Sequence, residues 1–299
     1  MHQKTIVVTG ANGFIGSKII AYLSRNPKFK VFGWSKGVNR IHGCDFSYIN
    51  INLTDFQLVE KNFSILKPDI LIHCAAISQV DVCEQNPELC HQINVDVTAH
   101  LVCLSNRFGS RIIHFSSDFV FDGKTEWVGE SAIPASISKY GESKRNAELA
   151  VEKAANWAII RPVLVYGYSQ SASRGNIFTW VLESVKEQKS ISVVDDQFRT
   201  PTFVDDVVKL VGNLLERRGN GFFHIGGADR LSVFEFAMKI SHEAGFSSPL
   251  INKVESRSVD GTSLRPKYSC FNNSKVKLFF GDKPIGVEEG IRKSLAQII

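Results

Sequence analysis

The chain has 299 residues, 43% of them apolar and 22% charged, with a formal net charge of +5; this describes a globular protein with a sizeable core rather than a disordered segment. The lysines and arginines are dispersed, which argues against the basic stripe of a nucleic-acid binder. No apolar run approaches the roughly eighteen residues needed to span a bilayer, and the 6 cysteines and 8 histidines show neither CxxC nor HExxH spacing, so neither a membrane nor a metal is expected as a partner.

In chain order, TIVVTG (5–10) is a short β-rich run, followed by a helix from near Phe14 through IIAYLSR. KVFGWS (30–35), PDILIHCAA (68–76), RIIHFSS (111–117) and AIIRPVLVYG (158–167) repeat the strand pattern, with helical or mixed segments between them. Continuously apolar strands separated by helices are what a parallel sheet covered on both faces requires. A doubly wound, Rossmann-type α/β domain is therefore expected over 1–167. A strand that begins within five residues of the start leaves no room for a secretory signal, and a reduced cytoplasmic protein with free thiols is expected.

Beyond Gly167 the polar loop YSQSASRGN (168–176) leads into a helix through about Lys189 and the short strand ISVV. FVDDVVKLVGNLLERR (203–218) reads as an amphipathic helix, FFHIG (222–226) as a strand, and a last helix is expected near 287–297. SVFEFAMKISHEAG (232–245) opens on a capping box, Ser232 with Glu235, and ends at a helix-stopping glycine. The expected division gives 168–197 and 226–299 to a smaller α/β domain over the open edge of the sheet, with 198–225 returning to complete the first domain.

Three positions carry the case for a cofactor. TGANGFIG places Gly10, Gly13 and Gly16 three apart at a strand-to-helix junction, for the tight turn, the approach of a pyrophosphate and close helix packing. After the second strand no acidic residue follows that could hold a ribose 2′-hydroxyl. Lys36 and Arg40 stand there instead, which suits a 2′-phosphate, so NADP(H) is preferred and NAD(H) remains compatible.

YGESK (140–144) places a phenol and an ammonium at i and i+4, on one face of a helix. Protonating the alkoxide left by hydride transfer needs an acid within reach of that oxygen, and Tyr140 fits. Lys144 is expected to lower the phenol pKa and to hold the nicotinamide ribose. A hydroxyl polarising the carbonyl could come from Ser116 or Ser117, which alternate faces at the end of a strand.

These residues resemble the extended short-chain dehydrogenase/reductases, and the chain is most similar to the dTDP-4-dehydrorhamnose reductase family. The likeness rests on TGANGFIG, Tyr140 with Lys144, and Asn94 in HQINVD. It extends through HCAAISQVDVCE (73–84), FSSDFVFDGK (115–124), VVDDQFRTPTFVDD (193–206) and LRPKYS (264–269). The resemblance makes Ser117 the polarising hydroxyl and Asn94 a support for the proton relay. It implies cofactor contacts at Gly10, Asn12, Gly13, Phe14, Ile15, Gly16, Ser35, Lys36, Arg40, Asn52, Leu53, Cys74, Ala75 and Ala76, besides Tyr140 and Lys144. For a nucleotide-sugar substrate it implies Ser78, Val80, Ser117, Asp118, Phe119, Asn176, Arg199 and Arg265. Arginine forks suit a diphosphate, although either arginine could instead form a salt bridge between domains. The chain departs from the pattern at Asn52, where an aspartate is usual, at Phe119, where a tyrosine is usual, and at Val287, where a tryptophan is common. The expected activity is reduction of a 4-keto-6-deoxy sugar. An epimerase, a related reductase and a non-catalytic regulatory subunit are the alternatives, and a homodimer is compatible with all of them.

Overall fold

The apolar runs become strands of one sheet: β1 (Lys4–Thr9), β2 (Phe29–Ser35), β3 (Ser47–Asn50), β4 (Ile70–His73), β5 (Arg111–Phe115) and β6 (Trp157–Pro162). A seventh strand, Gly221–Ile225, lies beside β6, and the spatial order runs Gly221–Ile225, β6, β5, β4, β1, β2, β3. Every pairing in this sheet is parallel. The order reverses between β1 and β4, and such a reversal opens a crevice at the carboxyl ends of the strands. The structure is a computed structural model that describes residues 3–247, 249–258, 263–280 and 283–298; positions 1–2, 248, 259–262, 281–282 and 299, which include both ends of the expected domain ranges, lie outside the described residues.

The helices are α1 (Phe14–Leu23), α2 (Phe56–Leu66), the short α3 (Val80–Gln85) and α4 (Pro87–His91), α5 (Val97–Phe108), α6 (Lys139–Val151), α7 (Ile177–Lys186), α8 (Val204–Arg217) and α9 (Val233–Glu243). Alternation along the strands feeds two cores. Ile6, Val8, Ile72 and Ile113 face α1 and α8 through Ile19, Ile20, Leu23, Val207, Val211 and Leu214. Val7, Leu71, Ile112 and Ile159 face α2 and α5 through Val59, Phe63, Leu101 and Leu104. Each such aliphatic side chain contributes about 1.5–3 kcal/mol on burial.

A third apolar cluster lies beyond the sheet. Phe178 and Val181 of α7, Phe236 and Ile240 of α9, and Val287 and Ile291 of the helix Val287–Leu295 pack around Tyr166 and Phe203. The strand Ile191–Val194 pairs in parallel with Ile251–Val254, a strand that the sequence pattern does not announce. The capping box of α9 forms as expected: Ser232 Oγ accepts from Glu235 N at 3.0 Å, and Glu235 Oε2 accepts from Ser232 N at 2.7 Å.

AIIRPVLVYG is not one strand. β6 ends at Pro162, Leu164 takes a φ of 35°, and Val165–Tyr166 pairs with Thr202–Phe203 outside the large sheet. The break is held by Thr202, whose hydroxyl donates to Val163 O at 2.6 Å. The small edge strand β3 carries no apolar run and is likewise absent from the sequence pattern.

A buried ion pair sits inside the sheet-facing core. Arg161 of β6 is 1% exposed and grips Glu148 of α6, 0% exposed, through two bonds of 2.7 Å. Removing one partner of such a pair leaves the other charge buried and uncompensated. Glu148→Ala should therefore lower the unfolding free energy by about 3–5 kcal/mol, read by urea denaturation. The double variant Glu148→Leu/Arg161→Leu should lose clearly less, and equal losses would show that the cost does not come from an uncompensated buried charge.

Candidate active site

A cleft of about 2000 Å³ runs along the carboxyl ends of β1, β2, β4, β5 and β6 and continues over α7 and the Ile191–Val194 strand. At one end lie Gly10, Gly13, Phe14, Ile15 and Gly16, with Ser35, Lys36, Asn52, Leu53, Cys74, Ala75 and Ala76 around them. Gly10 adopts φ +67°, and a Cβ there would stand 2.9 Å from Ala75 N. Gly13, at the start of α1, provides no side-chain cap, so the first-turn N–H groups are left for an anion. These residues fit a dinucleotide pyrophosphate, and Lys36 is the cation at the cleft after β2.

Two expected cofactor residues stand elsewhere. Asn12 is 5% exposed and turned into the loop after β2: its Nδ2 donates to Val38 O at 2.9 Å, and its Oδ1 accepts from Arg40 N at 3.2 Å. Its amide is consumed in shaping that loop and does not line the cleft. Arg40 is exposed on the same loop and also lies off the cleft wall.

Ser117, Asp118, Phe119, Tyr140 and Lys144 line the middle of the cleft. Ser138 caps α6 by accepting from Gly141 N, which fixes the first turn on which Tyr140 sits. The Tyr140 ring is held among Val80, Cys83, Cys90, Ile77 and Phe119, the last edge-on with centroids 5.7 Å apart. Burial pushes the phenol pKa above its ordinary value, a hydrogen bond with Ser117 lowers it, and the Asp118 carboxyl raises it again. Burial wins. The phenol therefore stands above its ordinary value despite the expected pull of Lys144, because desolvation outweighs the neighbouring groups. Lys144 is itself buried, which lowers its pKa to about 8 against the pull of Glu148.

Asn94 sits in a π-helical turn, Gln92–Asp96, between α4 and α5. Its amide clasps Ile77, accepting from Ile77 N at 2.8 Å and donating to Ile77 O at 3.0 Å, and it donates to Ser143 Oγ at 2.9 Å. It thus ties the segment after β4 to α6, without a hydrogen bond to Lys144 among the described residues. Ser117 Oγ donates to Asp118 Oδ1 at 2.9 Å, and burial raises the Asp118 pKa against the lowering effect of Arg199.

At the far end, Ser78, Val80, Asn176, Arg199 and Arg265 complete the wall. Asn176 caps α7 and donates to Gly167 O at 2.8 Å. Arg199 is 3% exposed and held by carbonyl groups, donating to Phe198 O at 2.8 Å and Lys267 O at 3.2 Å, and by Gln197 Oε1 at 3.0 Å. Arg265 does form a salt bridge, to Asp81 of α3 at 2.7 Å, and Ser263 donates to the same carboxylate. Sequence reasoning missed Arg174 and Trp180 on this wall and His114 behind Lys144. Arg174 lies in a loop marked only by its polarity, and the periodicity of α7 gives no sign that Trp180 faces a cleft. Among the described residues no cluster could hold a metal, and no helix is long and apolar enough to cross a membrane.

The model of the RmlD substrate binding domain matches residues 4–299. The chain is 31% identical, over 90% of both sequences, to the probable low-salt glycan biosynthesis reductase Agl14 of Haloferax volcanii. It is 28% identical to methionine adenosyltransferase 2 subunit beta of Pongo abelii, covering 98% of this chain and 87% of that one. Among solved structures, the dTDP-4-dehydrorhamnose reductase of Bacillus anthracis in complex with NADP superposes with a TM-score of 0.88 at 27% identity, over 99% of each chain.

The buried ammonium yields a test that needs no ligand. With its pKa lowered from 10.5 to about 8 in the folded chain, Lys144 releases its proton earlier folded than unfolded. Its contribution therefore opposes folding below pH 8 and is relieved as pH rises toward the unfolded value. Lys144→Met should be the more stable protein at pH 7, and its advantage should shrink by roughly 3 kcal/mol between pH 8 and 10.5. Urea unfolding at several pH values reads the difference; a constant gap would contradict the lowered pKa.

Proposed function

We propose, because this chain belongs to the RmlD substrate binding domain family, that it reduces the 4-keto group of a nucleotide-linked 4-keto-6-deoxy sugar with NADPH. The rhamnose precursor is the first substrate to try. The observation that carries the reading is the convergence of Ser117, Tyr140 and Lys144 on the cleft that also contains the glycine turn. NADPH, when bound there, supplies the hydride.

Tyr140 gives its phenolic proton to the carbonyl oxygen as negative charge develops, and its raised pKa keeps that proton in place until then. Ser117 polarises the same oxygen. Lys144 carries its charge below about pH 8 and stabilises the phenolate left behind. Asn94 keeps the Ile77 backbone and α6 in register. Phe119 brings a ring without a hydroxyl against Tyr140, so the sugar meets an apolar edge at that point. Arg199 forms no ion pair within salt-bridge distance among the described residues and suits a diphosphate, whereas Arg265 must first release Asp81.

NADP bound to the Bacillus anthracis relative supports NADPH, as does Lys36 at the cleft with no acid after β2. A second, non-catalytic reading has one observation in its favour, the likeness to methionine adenosyltransferase 2 subunit beta. Under it the protein would bind NADPH and turn nothing over.

Stopped-flow oxidation of NADPH with nucleotide-linked 4-keto sugars separates the two. Tyr140→Phe should bind both ligands and lose roughly 10²- to 10⁴-fold in turnover; near-normal hydride transfer would move the acid elsewhere. Lys36→Ala should weaken NADPH and leave NADH unchanged. Arg40→Ala should do less, and an equal affinity of the native protein for both cofactors would reject the NADPH preference.

A further inference from the structure

Lys144 is 2% exposed, and the hydrogen bond its ammonium makes among the described residues is to Nε2 of His114, at 3.3 Å. His114 is fully buried in β5, opposite His73 of β4, with ring centroids 5.2 Å apart. Burial, the Lys144 charge and His73 all push its pKa well below the ordinary value, so the ring is neutral. A neutral imidazole has one donor and one acceptor nitrogen, and an ammonium can only donate. Nε2 is therefore the bare nitrogen, and the ring proton sits on Nδ1.

That Nδ1 has no hydrogen-bond partner among the described residues. His73 differs: its Nδ1 meets Thr9 Oγ1 at 2.7 Å and its Nε2 meets Thr98 Oγ1 at 3.0 Å. An apolar ring in place of His114 would fill the same space without a buried unpaired donor. Packing alone gives no reason for the imidazole, and its contact with Lys144 does. Glu148, the largest electrostatic contribution favouring the charged lysine, is already gripped by Arg161. Cys74, Cys83 and Cys90 also face Lys144, and burial raises the first two. Tyr140 stands one turn before it on α6.

We propose that His114 is a positioning residue for Lys144: its Nε2 lone pair anchors the ammonium at the cleft wall and leaves the other two N–H donors for a nicotinamide ribose. The inference rests on the reading of Lys144 as part of an NADPH site.

Three variants separate this role from packing. His114→Gln can place an amide oxygen where Nε2 now lies, His114→Asn places its amide nearer Nδ1, and His114→Phe fills the volume with no acceptor. The readouts are the Lys144 Cε titration in ¹³C-lysine-labelled protein, assigned with Lys144→Met, and the NADPH dissociation constant by fluorescence. The Gln variant should titrate like the native protein. The Asn and Phe variants should titrate roughly one pH unit lower and bind NADPH roughly tenfold more weakly. Native behaviour in Asn and Phe, or an equal shift in all three, would overturn the proposal. If His114→Phe does not fold, the Gln and Asn pair decides. Failure of the native protein to reduce any 4-keto sugar would reject the proposed reaction and leave this result standing, because the titration uses neither substrate nor turnover.

Discussion

Glu148 and Arg161 meet in the interior, almost wholly shut off from solvent, and the setting of α6 depends on that contact. A helix that turns Tyr140, Lys144 and Glu148 inward at i, i+4 and i+8 places three polar groups where a leucine stripe would ordinarily be. The bidentate geometry fixes the helix against β6 in both rotation and translation. Arg161 is held from the other side by His224 Nε2 at 3.1 Å and lies over Phe222, 4.2 Å from its centroid. Tyr140 and Lys144 are thereby carried on a helix braced against β6, which aims a flexible lysine side chain without a loop.

The cleft divides into two regions with different supports. Its cofactor end is built from strand ends and short turns of the large sheet, all tied by ladder bonds. Its far end is assembled from segments distant in sequence, and polar contacts hold them in place: Arg265 and Ser263 on Asp81, Arg199 on three neighbouring oxygens. Backbone geometry thus sets the first region and side-chain choice sets the second.

This division explains what the sequence could disclose. The sheet was legible because Ile6 to Val8, Ile70 to Ile72 and Ile112 to Ile113 are buried on both faces and read as unbroken apolar runs. Tyr140 and Lys144 were legible because helix spacing alone puts them together. The direction of the phenol pKa was not, since it depends on the apolar cluster drawn from α3 and α4, segments with no clear periodicity. The side-chain contacts of Asn12 were not legible because a loop residue beside a glycine turn looks the same whether its amide faces a ligand or the chain. The break at Leu164 and the Arg265 salt bridge arise from Thr202 and Asp81, each far away in sequence. His114 sits in an ordinary strand run, where nothing marks which nitrogen is spoken for.

The glycine turn has a further implication for what its residues can testify to. A Cβ at Gly16 would stand 2.2 Å from Gly10 O, one at Gly13 3.0 Å from the same oxygen, and one at Gly10 2.9 Å from Ala75 N. In all three places the obstacle is the protein's own backbone. A descendant of this chain that had given up nucleotides altogether would need the same three glycines merely to close β1 onto α1. Their presence certifies the junction rather than its use, and substituting them would measure folding before it measured affinity.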